Sequence, residues 1–166
     1  MRESLEGIYQ DHRQGLFTVA LSITRDADRA EDAVHDAFAQ LCRGAGTPTG
    51  DPVAYTYAAV RNAAIDILRK RSEVAVDFDD RGGASMFHWR SAPGSDAAAE
   101  VNEANTAVQS AIEELPDAQR QVLVMKAYAG LTFDQIAQAC GEPLSTVASR
   151  YRRALETLKE RLGSVV

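Results

Sequence analysis

The chain has 166 residues, a net charge of −6 and 45% hydrophobic residues, enough for one ordinary domain or two small helical ones. No run approaches the roughly 20 apolar residues of a membrane span, and the N-terminus lacks a signal-peptide core, so the expectation is a cytoplasmic protein without membrane insertion. Cys42 and Cys140 lack Cys-x-x-Cys spacing and read as reduced, half-buried side chains; the histidines are scattered, and no nucleophile–base pair or phosphate-cradling glycine loop is present, which points away from a metal, a cofactor, a small-molecule substrate or an enzyme.

Residues 1–72 read as three helices. The first runs from about Glu3 to Ile23, with Leu5, Ile8, Tyr9, Leu16, Phe17, Ala20 and Leu21 as apolar positions. The second begins near Asp28, where Glu31 completes an Asp-x-x-Glu cap. Its Ala30, Ala33, Val34, Ala37, Phe38 and Leu41 step by three and one along a single stripe. GAGTPTGDP (44–52) is a loop by composition, and Asp51 followed by Pro52 opens a third helix that runs to about Arg71.

Residues 73–104 contain Gly82, Gly83, Pro93 and Gly94 and no sustained period; they read as a flexible linker, with a helix resuming near Ala97. The charge divides there. Residues 73–105 carry seven acidic and two basic side chains, whereas 1–72 carry ten and nine and 106–166 carry seven of each. The acidity therefore belongs to the middle of the chain, and the net charge does not exclude a nucleic-acid partner.

A second helical unit spans 105–166. Its first helix carries Val108, Ile112 and Leu115, and Pro116 opens another from Asp117 to Tyr128. LTFDQIAQACGEPLSTVASRYRR (131–153) then reads as a helix-turn-helix. Thr132 and Gln135 form a capping box, Ala137 is small where two helices cross, and Gly141 suits a left-handed turn. Pro143 sits just ahead of the second helix, whose expected N-cap is Ser145. At about 100° per residue, Val147, Tyr151, Leu155, Leu158 and Leu162 share a core side. Thr146, Ser149 and Arg153 fall opposite, flanked by Arg150 and Arg152. A basic face with small hydroxyl residues near its start suits entry into a major groove. The arginines alone favour a solvated helix balancing Glu156 and Glu160; the capping box, Ala137, Gly141 and Val147 in register turn the reading to DNA. With no strand signal anywhere, the predicted fold is all-α: two small helical domains joined by a flexible acidic linker.

The run LPDAQRQVLVMKAYAGLTFDQIAQACGEPLSTVASRYRRALETLKERL resembles the fourth sigma domain of bacterial extracytoplasmic-function (ECF) sigma factors, of the sigma-70 family. RDADRAEDAVHDAFAQLCR, followed by DPVAYTYAAVRNAAIDILRKR, resembles their second domain. Order, spacing and linker match over nearly the whole chain. The resemblance implies a promoter-specificity subunit in which residues 1–72 bind core RNA polymerase and recognise and melt the −10 element, while 105–166 recognise the −35 element. It also implies docking on the β′ clamp helices and the β flap, and an anti-sigma factor as inhibitor.

Carried onto this sequence, the resemblance makes Asp32, His35, Asp36, Gln40 and Arg43 the polar face for the polymerase. Tyr55, Tyr57, Arg61, Asn62, Arg69, Lys70 and Arg71 supply rings to stack unpaired bases and cations for the backbone, with one of the two tyrosines expected to pack inward. Loop 44–52 would rim a pocket for a flipped base. Ser145, Thr146, Ser149, Arg150, Arg152 and Arg153 would face the −35 duplex. In the linker, Asp77, Asp79 and Asp80 would mimic an RNA backbone near the RNA exit path, anchored by Phe78, Phe87 and Trp89; a solvated acidic tether fits the same residues.

Some positions depart from the family pattern. Tyr55 stands where a tryptophan is common, His35 where a glutamine is frequent, and Cys42 where an aromatic is frequent. Ala58 and Ala148 occupy places often basic, which removes phosphate contacts. Two other readings fit parts of the chain. A helix-turn-helix regulator acting without polymerase leaves the Tyr/Arg/Asn helix unexplained. A sigma-like decoy that binds an anti-sigma protein fits the missing basic residues but not Arg150, Arg152 and Arg153.

Overall fold

The structure, a computed structural model, describes residues 2–44, 50–74 and 98–163. Among these residues there are seven helices and no strand: α1 (Arg2–Thr24), α2 (Ala27–Arg43), α3 (Pro52–Val74), α4 (Ala98–Glu113), α5 (Asp117–Ala127), α6 (Phe133–Cys140) and α7 (Leu144–Gly163). Residues 45–49 of the predicted pocket rim lie outside the described residues, as do Asp77, Phe78, Asp79, Asp80, Phe87 and Trp89 of the linker. Residues 98–104, assigned to the linker by composition, belong to α4.

Helices α1, α2 and α3 pack on one another. Ala30, Ala33 and Ala37 are fully buried on α2, and methyl-sized side chains allow that helix a close approach to its neighbours. Tyr9 and Phe38 close the α1–α2 seam edge to face, with centroids 5.0 Å apart. Helix α1 also buries three hydroxyls without orphaning them. Thr18, Ser22 and Thr24 donate to the carbonyls of Gln14, Val19 and Ala20, about one turn back.

Side-chain caps start α2, α3 and α6. Asp26, extended at φ −147°, accepts through Oδ1 from the backbone N–H groups of Asp28 (2.9 Å) and Arg29 (3.1 Å). The cap of α2 is therefore Asp26 and not the predicted Asp28, which already lies in the first helical turn, where it cannot adopt the extended backbone a cap needs. Asp51 caps α3 as its sequence implies, accepting from Val53 (2.8 Å) and Ala54 (3.2 Å). Thr132 and Gln135 form both halves of the capping box on α6, and Gly141 ends that helix at φ 66°.

Helix α7 begins at Leu144, one residue before the predicted cap. The N–H groups of Thr146 and Val147 donate to the Pro143 carbonyl, so Ser145 sits inside the first turn. Val147 and Ala154 are buried, whereas Leu155, predicted in the core stripe, is 44% exposed. Helical geometry explains the difference: Ala154 lies about 20° round from Val147, and Leu155 about 80° round.

The two halves are not separate beads. Helix α5 lies on α1 and α6 lies on α3, and residues from both halves, Leu16, Tyr57 and Val60 with Ile112, Met125 and Ile136, belong to one hydrophobic cluster.

Candidate nucleic-acid interface

Two ring contacts hold the α6–Gly141–α7 unit together and against α5. Phe133 on α6 meets Tyr151 on α7 edge to face at 5.4 Å, and the Lys126 ammonium of α5 sits 4.7 Å from the Phe133 ring centroid. That locks the orientation of α7, and its predicted face reaches solvent. Ser145, Arg152 and Arg153 are exposed, and Thr146, Ser149 and Arg150 are half-buried. Arg150 is steadied by Glu142, with Nη1 3.5 Å from Oε1.

On α3 the predicted residues divide. Asn62, Arg69 and Lys70 are exposed, Tyr55 is 38% exposed, and Arg61 and Arg71 are half-buried. Arg69 pairs with Asp66 at 3.3 Å, and Arg61 donates through Nε to Gln121 Oε1 at 2.8 Å. Tyr57 leaves the set of exposed rings, because it has no accessible surface. Its ring stands edge-on to His12 at 5.6 Å and its hydroxyl lies 3.2 Å from Nδ1, while burial pushes its pKa above the ordinary tyrosine value. The sequence held a signal for this: Ala54, Tyr57, Val60 and Ala64 recur at helical spacing and all four are buried. Gly15 on α1 makes room for the tyrosine, since a Cβ there would collide with its hydroxyl and press on Ala129.

On α2, Asp32, His35, Asp36, Gln40 and Arg43 are all exposed and form the polar face expected for a charged partner. Cys42 is exposed beside them and not half-buried as predicted; Cys140 is half-buried, with Sγ 3.9 Å from Met125 Sδ. Burial pushes the Cys140 thiol up, while the Arg61 and Arg150 guanidiniums act in the opposite direction. No group of His, Cys, Asp or Glu among the described residues could hold a metal ion. None of the described helices is long and apolar enough to cross a membrane.

Sequence reasoning missed the contacts between the halves. Arg120 is 2% exposed and donates through Nε to the Ser22 carbonyl (3.1 Å) and through Nη1 to the carbonyls of Glu113 (3.1 Å) and Leu115 (3.0 Å), while Nη2 pairs with Asp117. Burial lowers its pKa and the nearby Arg25 adds to that, with Asp117 opposing both. Arg25 Nη2 also donates to the Glu113 carbonyl at 3.1 Å. Elsewhere, Asp51 Oδ2 accepts from Gln135 Nε2 (3.2 Å), and the Asp51 N–H donates to Gln138 Oε1 (3.3 Å). An arginine in a predicted amphipathic helix carries no local mark that it will be buried against a distant segment.

Comparison with known proteins gives this geometry its context. The family model for sigma-70 region 2 matches residues 8–74, and that for sigma-70 region 4 matches residues 105–158. The ECF RNA polymerase sigma factor SigK of Mycobacterium sp. (strain KMS) is 26% identical over 164 residues, covering 97% of this chain and 84% of the relative. The ECF sigma factor EcfG of Rhodopseudomonas palustris (strain TIE-1) is 28% identical over 145 residues, covering 86% and 76%. Among solved structures, the sigma factor RpoE in complex with the anti-sigma factor NepR from Bartonella quintana shares the fold, with a TM-score of 0.68 at 21% identity over 95% of this chain and 96% of that one. CnrH in complex with the cytosolic domain of CnrY superposes with a TM-score of 0.67 at 19% identity, covering 99% and 90%. Two family models in the right order, on two helical units that present a polar α2 face and a basic α7 face, lead to one conclusion: the chain belongs to the sigma-70 family, as an ECF sigma factor.

Proposed function

We propose that this sigma factor docks on core RNA polymerase through α2, opens the −10 element with α3 and grips the −35 element with α7. The observation that carries the reading is the pairing of two different nucleic-acid chemistries on one chain. Helix α3 offers a partly exposed ring and an amide, Tyr55 and Asn62, beside the cations Arg69 and Lys70, which suits unpaired bases and their backbone. Helix α7 offers Ser145, Thr146, Ser149, Arg150, Arg152 and Arg153, which suits duplex DNA. Residues 1–72 and 105–166 are the two functional units in this reading. Tyr57 supports α3 from beneath and does not stack on a base in this arrangement.

The mechanism is recruitment and strand opening by binding energy, without covalent catalysis, in the cytoplasm where the polymerase works. An anti-sigma protein is the expected regulator, in keeping with RpoE, whose solved structure holds the anti-sigma factor NepR. Run-off transcription with core polymerase across a promoter library tests the reading: specific initiation above core alone is expected, and its absence sinks the proposal. Asn62→Ala should retain core binding and lose opening of the −10 element; unchanged opening removes Asn62 from the base-reading set.

A further inference from the structure

Leu144 is the first residue of α7, and it is 48% exposed beside the exposed Ser145. A single exposed leucine is ordinary on a protein surface. This one is set apart by its place, just past the Gly141 turn. In a helix-turn-helix on DNA, the N-terminal residues of the second helix are those that meet base edges. At about 100° per residue, Ala148 lies about 40° round from Leu144, Arg152 about 80° and Ser145 about 100°. The buried Val147 lies about 60° the other way, so Leu144 does not close the core. With the small, half-buried Ala148 one turn on, it forms an apolar margin to the face that carries Ser145, Ser149 and Arg152.

An aliphatic side chain in the major groove has one kind of counterpart. Base edges there present hydrogen-bond donors and acceptors, and the 5-methyl of thymine is the apolar group among them. Set against guanine, adenine or cytosine, a leucine strips water from a polar edge and returns no hydrogen bond. Set against thymine, the two apolar groups cover each other and both gain. The same side chain therefore rewards one base and penalises the other three.

Resting on the promoter reading above, we propose that Leu144, with Ala148 beside it, is a specificity-determining contact that reads the 5-methyl group of one thymine in the −35 element. The arginines of α7 supply grip on phosphate and guanine; Leu144 adds selection for thymine. Leu155 provides the comparison within the same helix. It is 44% exposed and only about 20° round from Leu144, but it lies about 16 Å further along the axis. It shares the angle of Leu144 and lacks its place at the groove-entering end.

Deoxyuridine, which lacks only the methyl, isolates this contact. On a promoter chosen by the run-off library, each thymine of the −35 duplex is replaced in turn by deoxyuridine, and binding by core polymerase carrying this chain is measured by competition. With the wild type, uracil at one position should weaken binding about fourfold, the worth of one buried methyl. Leu144→Ala should bind the thymine promoter more weakly and no longer distinguish thymine from uracil there. Leu144→Met, apolar and equally long, should keep the distinction, and Leu155→Ala should match the wild type throughout. A wild type indifferent to every −35 methyl, or a Leu144→Ala that discriminates as the wild type does, overturns the role of Leu144 and leaves the promoter reading standing. Specific initiation with no −35 preference at all overturns that role together with the assignment of α7.

Discussion

Tyr55 and Tyr57 stand two residues apart on α3 and have opposite fates. Two steps of about 100° turn one ring outward and the other into the seam between α1 and the second half, where Gly15 admits it and His12 meets its hydroxyl. Tyr57→Phe should cost about 1 kcal/mol in denaturant melts through the lost hydrogen bond, and Tyr57→Ala about 3–5 kcal/mol through the cavity. Tyr55→Ala should leave stability within about 0.5 kcal/mol and slow open-complex formation. Equal effects of the two alanine variants on stability would contradict the assignment. The tyrosines also predict a pH response. Burial raises the pKa of Tyr57 and of Tyr128, so the unfolded chain ionises first, and the folded state holds more protons above about pH 10. The Cys140 thiol, raised in the same way, starts a fall in stability near pH 9; the tyrosines steepen it above about pH 10, less so in Tyr57→Phe, which has no phenol there to ionise.

At the scale of single elements, the helix-turn-helix is where local sequence and structure agree most closely. Thr132, Gln135 and Gly141 each satisfy a backbone requirement within a few residues, so no distant partner is needed to read them. Misplacements came at edges. Leu155 sits at the rim of the α7 stripe and Ser145 just inside its first turn, where one helical step decides between core and solvent. The exposed basic face of α7 carries a prediction of its own. Arg153→Ala should weaken binding to a −35 duplex and lower the slope of log affinity against log salt by about one, because one phosphate contact and its released counterion are lost. Pull-down by core polymerase should be unchanged; loss of both together would indicate misfolding.

For the whole molecule, the decisive residue is Arg120. It is buried, yet its charge is met by the carbonyls of Ser22, Glu113 and Leu115 and by Asp117, and the Ser22 carbonyl belongs to the other half of the chain. Removing it strands acceptors that each cost about 1–3 kcal/mol when buried without a donor. Arg120→Ala should therefore destabilise by about 3 kcal/mol or more in equilibrium unfolding, well above the effect of any exposed arginine on α7. A loss below about 0.5 kcal/mol would mean that the carbonyls are hydrated and the arginine holds nothing together.

The sequence by itself determined what depends on near neighbours: an all-helical chain, the caps at Asp51 and Thr132, the turn at Gly141, and two blocks whose order resembles one family. Those signals are local because a helix is specified by periodicity and by the few groups that satisfy its ends. Only the tertiary structure decided which tyrosine faces solvent, why Arg120 is buried, and that α6 rests on α3. Each of those outcomes depends on contacts between residues dozens of positions apart. Side chains such as Gln121, Gln135 and Gln138 look like ordinary solvated positions until the other half of the chain supplies their partners.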